Sequence, residues 1–271
     1  MTWLRRPGPA DDKRSMGVLG VMTGSDRYPG AAVLGVEAAW RTGAGMVRLW
    51  APRRVQDLVL ARRPETVCHD LSEQPDDAAA DVDAWLLGSG QDARERGSAL
   101  RSALLAALAS GAPCVVDAGA LDLVGGHAGP AVITPHAGEL ARLLAQLGIA
   151  TDDEDERMRG TCAAAALDAV VVAKGAATRV FAPGGRTATV AAATHRLATA
   201  GTGDVLAGIL GAIVAANAAA ASDASDLAAM AAQAVALHGA AAALAAEGDR
   251  PIVALDVAER LPEAVAAALS R

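Results

Sequence analysis

Four consecutive residues, Gly201-Thr202-Gly203-Asp204, combine the residue types needed to bind an anion and to move a proton. The two glycines can adopt backbone angles that are closed to other residues, which lets successive N–H groups point into one concavity. The apolar residues that follow recur at helical spacing, so this concavity lies at the positive end of a helix dipole. The arrangement favours a bound phosphate or a developing oxyanion.

Asp204 places a carboxylate in the first turn of that helix, beside the predicted anion site. A carboxylate next to bound phosphate indicates proton transfer or metal attachment rather than simple anion capture. The alternative is that Asp204 only complements the positive end of the helix dipole. The local sequence does not separate these two interpretations, so other segments of the chain must decide between them.

Small or polar residues also stand where other apolar runs of the sequence end. These runs alternate with helical patterns, which is typical of a mostly parallel sheet covered by helices on both faces. In such sheets, ligands bind beyond the carboxyl ends of the strands. The segments predicted at these ends are Gly24-Ser25, Gly88-Ser89-Gly90, Asp117, His136, Lys174-Gly175 and residues 201–204. Their shared position predicts one site assembled from several loops.

The elements that position these segments follow from the apolar periodicity. It predicts strands over residues 18–22, 46–51, 82–87, 113–117, 131–134, 169–173, 178–182 and 187–191. It predicts helices over residues 30–42, 53–62, 96–110, 138–147, 152–167, 227–247 and 257–269, besides the one after Asp204. Because no linker, repeat or composition break interrupts this alternation, we expect residues 1–271 to form a single domain. Residues 1–14 are expected to form an irregular N-terminal arm.

Composition restricts the class of partner and the compartment. The formal net charge is −7 and only 2% of the residues are aromatic, which argues against nucleic acid as a partner. The three cysteines, Cys68, Cys114 and Cys162, have no metal-ligand spacing and are typical of a reducing compartment. The N-terminal residues do not have the pattern of a signal peptide, and the alanine-rich stretch 227–247 is interpreted as a core helix rather than a membrane span. We therefore expect a cytoplasmic protein.

Neither common nucleotide-binding signature, G-x-x-x-x-G-K-[ST] or G-x-G-x-x-G after a first strand, is present. Other short segments stand in a familiar order: Thr23-Gly24-Ser25, Tyr28-Pro29-Gly30-Ala31-Ala32, Arg41-Thr42-Gly43-Ala44-Gly45-Met46-Val47, Val116-Asp117-Ala118, Thr134-Pro135-His136-Ala137-Gly138-Glu139, Lys174-Gly175-Ala176-Ala177-Thr178, Gly201-Thr202-Gly203-Asp204 and His238-Gly239. In these segments the chain resembles the ADP-dependent NAD(P)H-hydrate dehydratases of the ribokinase-like superfamily. The resemblance runs from residue 13 to about residue 245.

The resemblance implies a ribokinase-like three-layer α/β/α fold with a central, mostly parallel sheet. It implies a cofactor repair reaction, the ADP-dependent dehydration of the S epimer of hydrated NADH or NADPH. In that reaction ADP is the co-substrate, and its terminal phosphoryl group passes to the ring hydroxyl so that phosphate leaves. Mg²⁺ is expected from phosphoryl chemistry, although the sequence does not identify its ligands. The resemblance also implies a homo-oligomer that works with a separate NAD(P)H-hydrate epimerase.

Residue roles carry over from the matching motifs. Asp204 is implied to be the general base and to contact the hydrated nicotinamide. Gly201, Thr202 and Gly203 are implied to form the anion hole, with Gly203 also touching the nucleotide. The residues implied to contact the hydrated substrate, together with Asp204, are Ala31, Gly90 and His136. The residues implied to hold the nucleotide are Lys174, Gly175, Ala176, Ala177 and Thr178.

Structural interpretations of several of these residues remain open. Ala31 and Gly90 would also suit tight packing with no ligand. Lys174 would suit a solvated strand end, and Glu139 is interpreted as a first-turn helix charge rather than a catalyst. A lone histidine such as His136 is more often structural, and only its motif favours a substrate contact.

The chain departs from the family pattern in the loops. Ser89 stands where the family usually has a proline, and Ala137 also replaces a proline. Arg196 replaces a flexible position and adds a charge close to the predicted nucleotide site. Two other functions therefore remain open. A ribokinase-like kinase acting on a vitamin alcohol would use the same Asp204 and anion hole, and the altered loops would suit a catalytically idle nucleotide-binding protein.

Overall fold

The structure, a computed structural model, describes residues 2–71, 82–150 and 155–270. In this part of the chain, nine strands form one sheet in the order β3-β2-β1-β4-β5-β6-β7-β8-β9. The strands are β1 Val18–Met22, β2 Met46–Trp50, β3 Val67–His69, β4 Ala84–Leu87, β5 Cys114–Val116, β6 Ala131–Ile133, β7 Val170–Ala173, β8 Ala177–Phe181 and β9 Thr187–Ala191. All neighbours from β3 to β7 are parallel, whereas β8 pairs antiparallel with both β7 and β9.

The described residues also form nine α-helices. They are α1 Pro29–Thr42, α2 Arg53–Arg62, α3 Ser98–Ala109, α4 Ala137–Gln146, α5 Glu156–Leu167, α6 Thr202–Ala216, α7 Ala224–Ala245, α8 Ala254–Glu259 and α9 Leu261–Leu269. A 3₁₀ helix spans Ala118–Gly126 between β5 and β6. Most predicted elements are confirmed to within a few residues, and the start of the helix predicted over residues 152–167 lies partly outside the described residues.

Alternating side chains of the central strands divide the core into two layers. On β4, Leu86 packs into an apolar cluster with residues of α1, α2 and α6–α9. Trp85 and Leu87 point to the opposite face and pack with residues of α3, α4 and α5. Because both faces are covered, β4 is a continuous apolar run rather than an alternating one. The predicted three-layer α/β/α fold is confirmed.

Helices α1 and α6 pack against each other through their backbones. A Cβ atom at Gly208 of α6 would lie only 2.1 Å from the carbonyl oxygen of Gly35 in α1. A Cβ at Gly35 would lie 3.5 Å from the carbonyl oxygen of Asp204, in the first turn of α6. The absence of side chains at these two positions thus sets the separation of the two helices.

Two predictions about the elements were wrong. Strand β3 was not predicted, because it is three residues long and pairs only with β2 at the edge of the sheet. The single helix predicted over residues 257–269 is two helices, α8 and α9, which meet at Arg260. Pro262 lies in the first turn of α9 because its missing N–H would break the ladder of one continuous helix.

The N-terminal residues 2–14 contain turns but no helix or strand, as predicted for this arm. The arm is nevertheless anchored to the core. The backbone N–H of Trp3 donates to Oε1 of Gln233 at 2.6 Å, and Asn217 Nδ2 donates to the Trp3 carbonyl oxygen at 2.9 Å. Trp3 and Leu4 are both buried.

Helix α7 is long and apolar enough to cross a membrane by length and composition alone. More than half of its most apolar window (56%) is buried inside the protein, where it packs against α6, α8 and α9. This burial is the pattern of a core helix, as the sequence predicted.

One ion cluster lies inside the helical layer, away from the strand ends. Glu37 of α1 is fully buried, and its carboxylate accepts hydrogen bonds from Arg41, Arg62 and Arg63. Burial alone would raise the pKa of Glu37, but the hydrogen bonds from Arg63, Arg41 and Arg62 outweigh it and lower the pKa to about 2. Arg62 also contacts Glu259 of α8 at 2.7 Å, so the cluster connects α1, α2 and α8.

Candidate active site

The residues predicted to form an anion site lie at the head of α6. Gly201 caps the helix with a φ of 89°, a left-handed angle that favours glycine. A Cβ there would also meet Leu34 Cδ1 at 2.6 Å. The hydroxyl of Thr202 donates to the carbonyl oxygens of Leu197 and Thr199 at 3.0 Å, which ties the preceding loop to the helix. The first N–H groups of α6 have no intrahelical partner and are available to an anion.

The ends of four neighbouring strands bring a set of polar side chains to this helix. Ser89 follows β4, Asp117 follows β5, Thr134 follows β6 and Lys174 follows β7. Together with Asp204 they form what we call the carboxylate cluster. The prediction that residues at the strand ends converge is therefore confirmed for Ser89, Asp117, Lys174 and Asp204.

Asp117 is the centre of the carboxylate cluster. Its Oδ1 accepts from the hydroxyl of Thr134 at 2.7 Å and from Nζ of Lys174 at 2.8 Å. The side chain is buried and only 4% exposed, so these two donors satisfy a carboxylate that has lost its water. The predicted strand-end alternative for Lys174, a solvated charge, is wrong because the ammonium group is held by this ion pair.

Lys174 remains charged in this environment. Burial lowers the pKa of Lys174, but the charge and hydrogen bond of Asp117, with the charges of Glu139 and Asp204, outweigh it and raise the pKa. Glu139 Oε2 lies 4.0 Å from Nζ. A Cβ at Gly203 would lie 3.6 Å from Nζ, which places the ammonium beside the head of α6. Lys174 thus adds a full positive charge to the partial charge of the helix terminus.

Asp204 lies half-buried between the helix and the strand ends. The hydroxyl of Ser89 donates to its Oδ1, while a Cβ at Gly201 would lie 3.9 Å from its Oδ2. Burial raises the pKa of Asp204, the Ser89 hydrogen bond lowers it, the charge of Asp117 raises it and that of Lys174 lowers it, with a net upward shift. A carboxylate with a raised pKa is a better proton acceptor than an ordinary aspartate.

His136 and Glu139 together cap the N-terminus of α4. Nδ1 of His136 accepts from the N–H groups of Gly138 and Glu139, and Glu139 Oε2 accepts from the His136 N–H at 2.8 Å. The predicted first-turn position of Glu139 is confirmed. The imidazole of His136 remains 54% exposed at the strand end, and its Nε2 lies 3.4 Å from Oε1 of Glu139.

Ala31 and Gly90 are in direct contact. A Cβ at Gly90 would lie 2.3 Å from the Cβ of Ala31 and 2.9 Å from the Tyr28 carbonyl oxygen. The hydroxyl of Ser25 donates to the Gly90 carbonyl oxygen at 2.8 Å. The small residues predicted to contact substrate therefore pack tightly together, and their neighbours Tyr28 and Gln91 line a cavity.

Two cavities lie at the strand ends. One, of about 750 Å³, is lined by Tyr28, Gln91, Gly119, Glu139 and Arg142, among others. The second, of about 330 Å³, is lined by three predicted nucleotide-binding residues, Gly175, Ala176 and Thr178, together with residues 190–195, Leu197, Ala198, Val235, His238 and Gly239. Ala177 lies in β8 between them and does not line this cavity. Among the residues that the structure describes, no group of three or more His, Cys, Asp or Glu side chains is placed to hold a metal ion.

A sequence profile described as NAD(P)H-hydrate dehydratase matches residues 19–263 of the chain. The chain belongs to the NAD(P)H-hydrate dehydratase family. This membership confirms the resemblance found in the motifs. The matched residues 19–263 include every strand and helix that contributes to the carboxylate cluster.

Relatives of this family member include the bifunctional NAD(P)H-hydrate repair enzyme Nnr of Mycobacterium tuberculosis, which is 42% identical over 221 residues. That match covers 78% of this chain but 43% of the relative, so the chain spans less than half of the relative's length. The crystal structure of an ADP/ATP-dependent NAD(P)H-hydrate dehydratase from Bacillus subtilis, co-crystallised with ATP/Mg²⁺, aligns with a TM-score of 0.76 at 25% identity. It covers 96% of this chain and 92% of that chain.

A ribokinase-like superfamily protein from Enterococcus faecalis aligns with a TM-score of 0.81 and covers 97% of this chain and 92% of that chain. At 22% identity it bears on the fold alone. The ribokinase-like architecture predicted for this NAD(P)H-hydrate dehydratase family member is thereby confirmed.

The structure also shows the surroundings of Arg196, His195 and His238. Arg196 does not extend to the predicted nucleotide site, because its guanidinium binds the side chain of Asp249 at 3.0 Å and its carbonyl oxygen at 2.7 Å. His195, around which the sequence showed no group of functional residues, lines the smaller cavity. His238 is buried beside that cavity, and burial lowers the pKa of His238 to about 4, against the opposing effect of a hydrogen bond with the Thr202 backbone. It is therefore neutral at physiological pH.

Proposed function

We propose that the chain catalyses the nucleotide-dependent dehydration of the S epimer of hydrated NADH and NADPH, which restores the reduced cofactor. The observation that carries the proposal is the position of Asp204 in a member of this family. Its carboxylate lies beside the unpaired N–H groups of α6 and next to the Lys174 ammonium. A proton acceptor and a phosphoryl site thus lie within one concavity.

The proposed reaction has two steps. In the first, Asp204 accepts the proton of the ring hydroxyl while the hydroxyl oxygen attacks the terminal phosphorus of ADP, so that AMP leaves. Gly201, Thr202 and Gly203 stabilise the negative charge on the transferred phosphoryl group through the helix terminus. In the second, the ring carbon–oxygen bond breaks, phosphate departs with the electron pair, and the adjacent ring carbon loses a proton. The products are NADH or NADPH, AMP, hydrogen phosphate and one net proton, because the departing phosphate takes up the proton lost in the second step.

The two ligands are proposed to lie on opposite sides of Asp204. We assign the nucleotide to the smaller cavity, with Lys174, Gly175, Ala176, Ala177 and Thr178 around it and Gly203 against its phosphates. We assign the hydrated cofactor to the larger cavity. Its hydrated nicotinamide would contact Ala31, Gly90, His136 and Asp204. Support comes from geometry, since Gly175, Ala176 and Thr178 line the smaller cavity, while Tyr28, Gln91 and Glu139, which are close in sequence to Ala31, Gly90 and His136, line the larger one.

Mg²⁺ is proposed to arrive with the nucleotide. The described side chains offer no ready-made metal site, whereas phosphate oxygens and water are common magnesium ligands. The Bacillus subtilis relative is named as ADP/ATP-dependent and was co-crystallised with ATP/Mg²⁺. We propose ADP as the co-substrate here and assign no step of the reaction to the metal.

We also propose four other properties of the chain. They are a single domain over residues 1–271, a homo-oligomer, a cytoplasmic location without a nucleic acid or membrane partner, and cooperation with a separate epimerase. The pairing of all nine described strands in one sheet supports the first. The relative is named as a bifunctional repair enzyme, which supports a second repair activity that accompanies this one.

The test offers the purified protein the S epimer of hydrated NADH with Mg-ADP and follows the absorbance of the reduced nicotinamide. We expect NADH, AMP and phosphate to form in equal amounts, and no NADH without nucleotide. The R epimer is the matched control and should not react. If NADH does not form while a vitamin alcohol is phosphorylated by ATP, the protein is a kinase. If neither reaction occurs and nucleotide still binds, it is an idle binding protein.

A further inference from the structure

Ser89 is the one residue of the carboxylate cluster that contacts both aspartates. Its side chain is buried, and its hydroxyl oxygen lies within hydrogen-bond distance of Asp204 Oδ1 and 3.4 Å from Asp117 Oδ2. The backbone around it is fixed, because the Ser89 carbonyl oxygen accepts from the N–H of Gly24 at 2.7 Å. The hydroxyl is thus held in place before any ligand binds.

A serine hydroxyl has one hydrogen, so it can donate fully to only one of the two aspartates. Asp117 already accepts from Thr134 and Lys174, and its contact with Ser89 is the longer one. Asp204 has no other hydrogen-bond donor within the described residues. The hydrogen of Ser89 therefore belongs to Asp204, and the lone pairs of the hydroxyl face Asp117.

The hydrogen bond from Ser89 gives the two carboxylate oxygens of Asp204 different roles. Oδ1 is occupied by Ser89, whereas Oδ2 lies on the side of Gly201, at the head of α6. A carboxylate can rotate about its Cβ–Cγ bond, and a hydrogen bond to one oxygen fixes that rotation. The free oxygen then faces the place where the substrate hydroxyl must lie to receive a phosphoryl group.

We propose that Ser89 is a positioning residue of the proposed reaction: it donates to Oδ1 of Asp204, keeps that carboxylate ionised and directs Oδ2 toward the substrate hydroxyl. The inference rests on the proposed function, because it assigns Asp204 the role of base. It adds a residue that does not itself touch the reacting atoms.

The other groups that face Asp204 decide how its titration responds to the loss of Ser89. Asp117 at the end of β5 disfavours the ionised form, and Lys174 at the end of β7 favours it. Glu139 of α4 acts on Lys174 from 4.0 Å. The residues that face Gly201 from α1 and α8, Leu34 and Ala254, are apolar. With Ser89 removed, burial and Asp117 are opposed by Lys174 alone, so the pKa of Asp204 must rise.

The experiment compares Ser89→Ala with wild type in two measurements. The first is the carboxyl ¹³C NMR titration of Asp204 without ligands, assigned by the signal that Asp204→Asn removes. The second is the pH dependence of kcat/KM with hydrated NADH and Mg-ADP. We expect Ser89→Ala to shift the Asp204 midpoint and the acidic limb of kcat/KM upward together, by about one pH unit. The activity loss should shrink as the pH rises above the new midpoint.

Two further variants keep this test decisive. Ser89→Thr retains the hydroxyl and should restore both midpoints toward wild type, whereas Ser110→Ala, which removes a hydroxyl at the end of α3, should change neither. An unshifted midpoint in folded Ser89→Ala, or a loss of activity that is equal at every pH, would overturn the proposal. The NMR titration needs no turnover, so a shifted midpoint in a protein that does not repair hydrated NADH would refute the proposed function and leave the Ser89–Asp204 contact intact.

Discussion

At the scale of single residues, the site is a balance between two carboxylates and one ammonium group. Asp117 is committed to Lys174 and Thr134, whereas Asp204 has a single donor and one free oxygen. The two aspartates therefore have different chemistry although they lie in one cluster. Asp117 holds Lys174 in place, whereas the pKa of Asp204 is raised by burial, which suits a base.

Asp204→Asn tests this division. Asparagine keeps the shape and can still accept from Ser89, but it cannot take a proton, so we expect kcat to fall roughly 10²–10⁴-fold. The nucleotide dissociation constant, measured by calorimetry with Mg-ADP, should not increase, because the amide removes a negative charge near the phosphates. Wild type and variant with equal rates would show that Asp204 is not the base.

The sequence placed several of these residues correctly and missed one relationship. Asp204 and the glycines before it were predicted because anion binding at a helix N-terminus depends on neighbouring residues. Ser89 was predicted at a strand end and as a replaced proline, but its contact with Asp204 was not predicted. Its partner is 115 positions away in the chain, and no local pattern reports a contact between two loops at that separation. The same limit applied to Arg196, whose partner Asp249 lies on a distant turn.

At the scale of elements, the contact between α1 and α6 positions the two sides of the site. Helix α1 begins next to Ala31, and α6 begins next to Asp204. The periodicity of both helices was evident in the sequence, since long apolar stripes determine their own secondary structure. Their backbone contact at Gly35 and Gly208 was not, because a glycine in a helix has the same sequence signature whether it faces a neighbour or solvent.

Gly208→Ala tests the importance of that contact. The added methyl would lie 2.1 Å from the Gly35 carbonyl oxygen, so the helices must separate. We expect a loss of roughly 1–3 kcal/mol in the free energy of unfolding, beyond the gain in helix propensity, together with a lower kcat. Urea unfolding and initial rates measure both. Gly125→Ala is the matched control, because no atom lies within 4 Å of a Cβ there, and a similar loss in the control would contradict the packing explanation.

At the scale of the whole molecule, stability and chemistry depend on different ion clusters. The Glu37 cluster connects α1, α2 and α8 far from the strand ends, whereas the carboxylate cluster connects four strands to α6. The layered fold that separates them was predictable, because it follows from alternating strands and helices. The Glu37 cluster was not, because a buried glutamate has no sequence pattern of its own.

Glu37→Gln should lower the free energy of unfolding by about 3 kcal/mol at pH 7, since the pKa of Glu37 falls from 4.5 to about 2 on folding. A carboxylate with a lowered pKa stabilises the fold above pH 4.5 and loses that contribution as the pH falls through about 2. The difference between wild type and variant, measured by urea unfolding, should therefore shrink between these pH values. The exposed Glu263→Gln is the control and should cost less than about 1 kcal/mol. A difference that does not depend on pH would contradict this account.

The direct backbone contact of α1 with α6 has a consequence for how the protein tolerates change. Most interior side chains touch other side chains, which can adjust to a substitution by rotating. Gly35 and Gly208 have no side chains that could rotate. The distance between Ala31, in the first turn of α1, and the proposed base is therefore fixed by the main chain itself. Apolar residues around this crossing can vary in size while the reaction geometry is preserved, whereas one extra carbon at the crossing alters it.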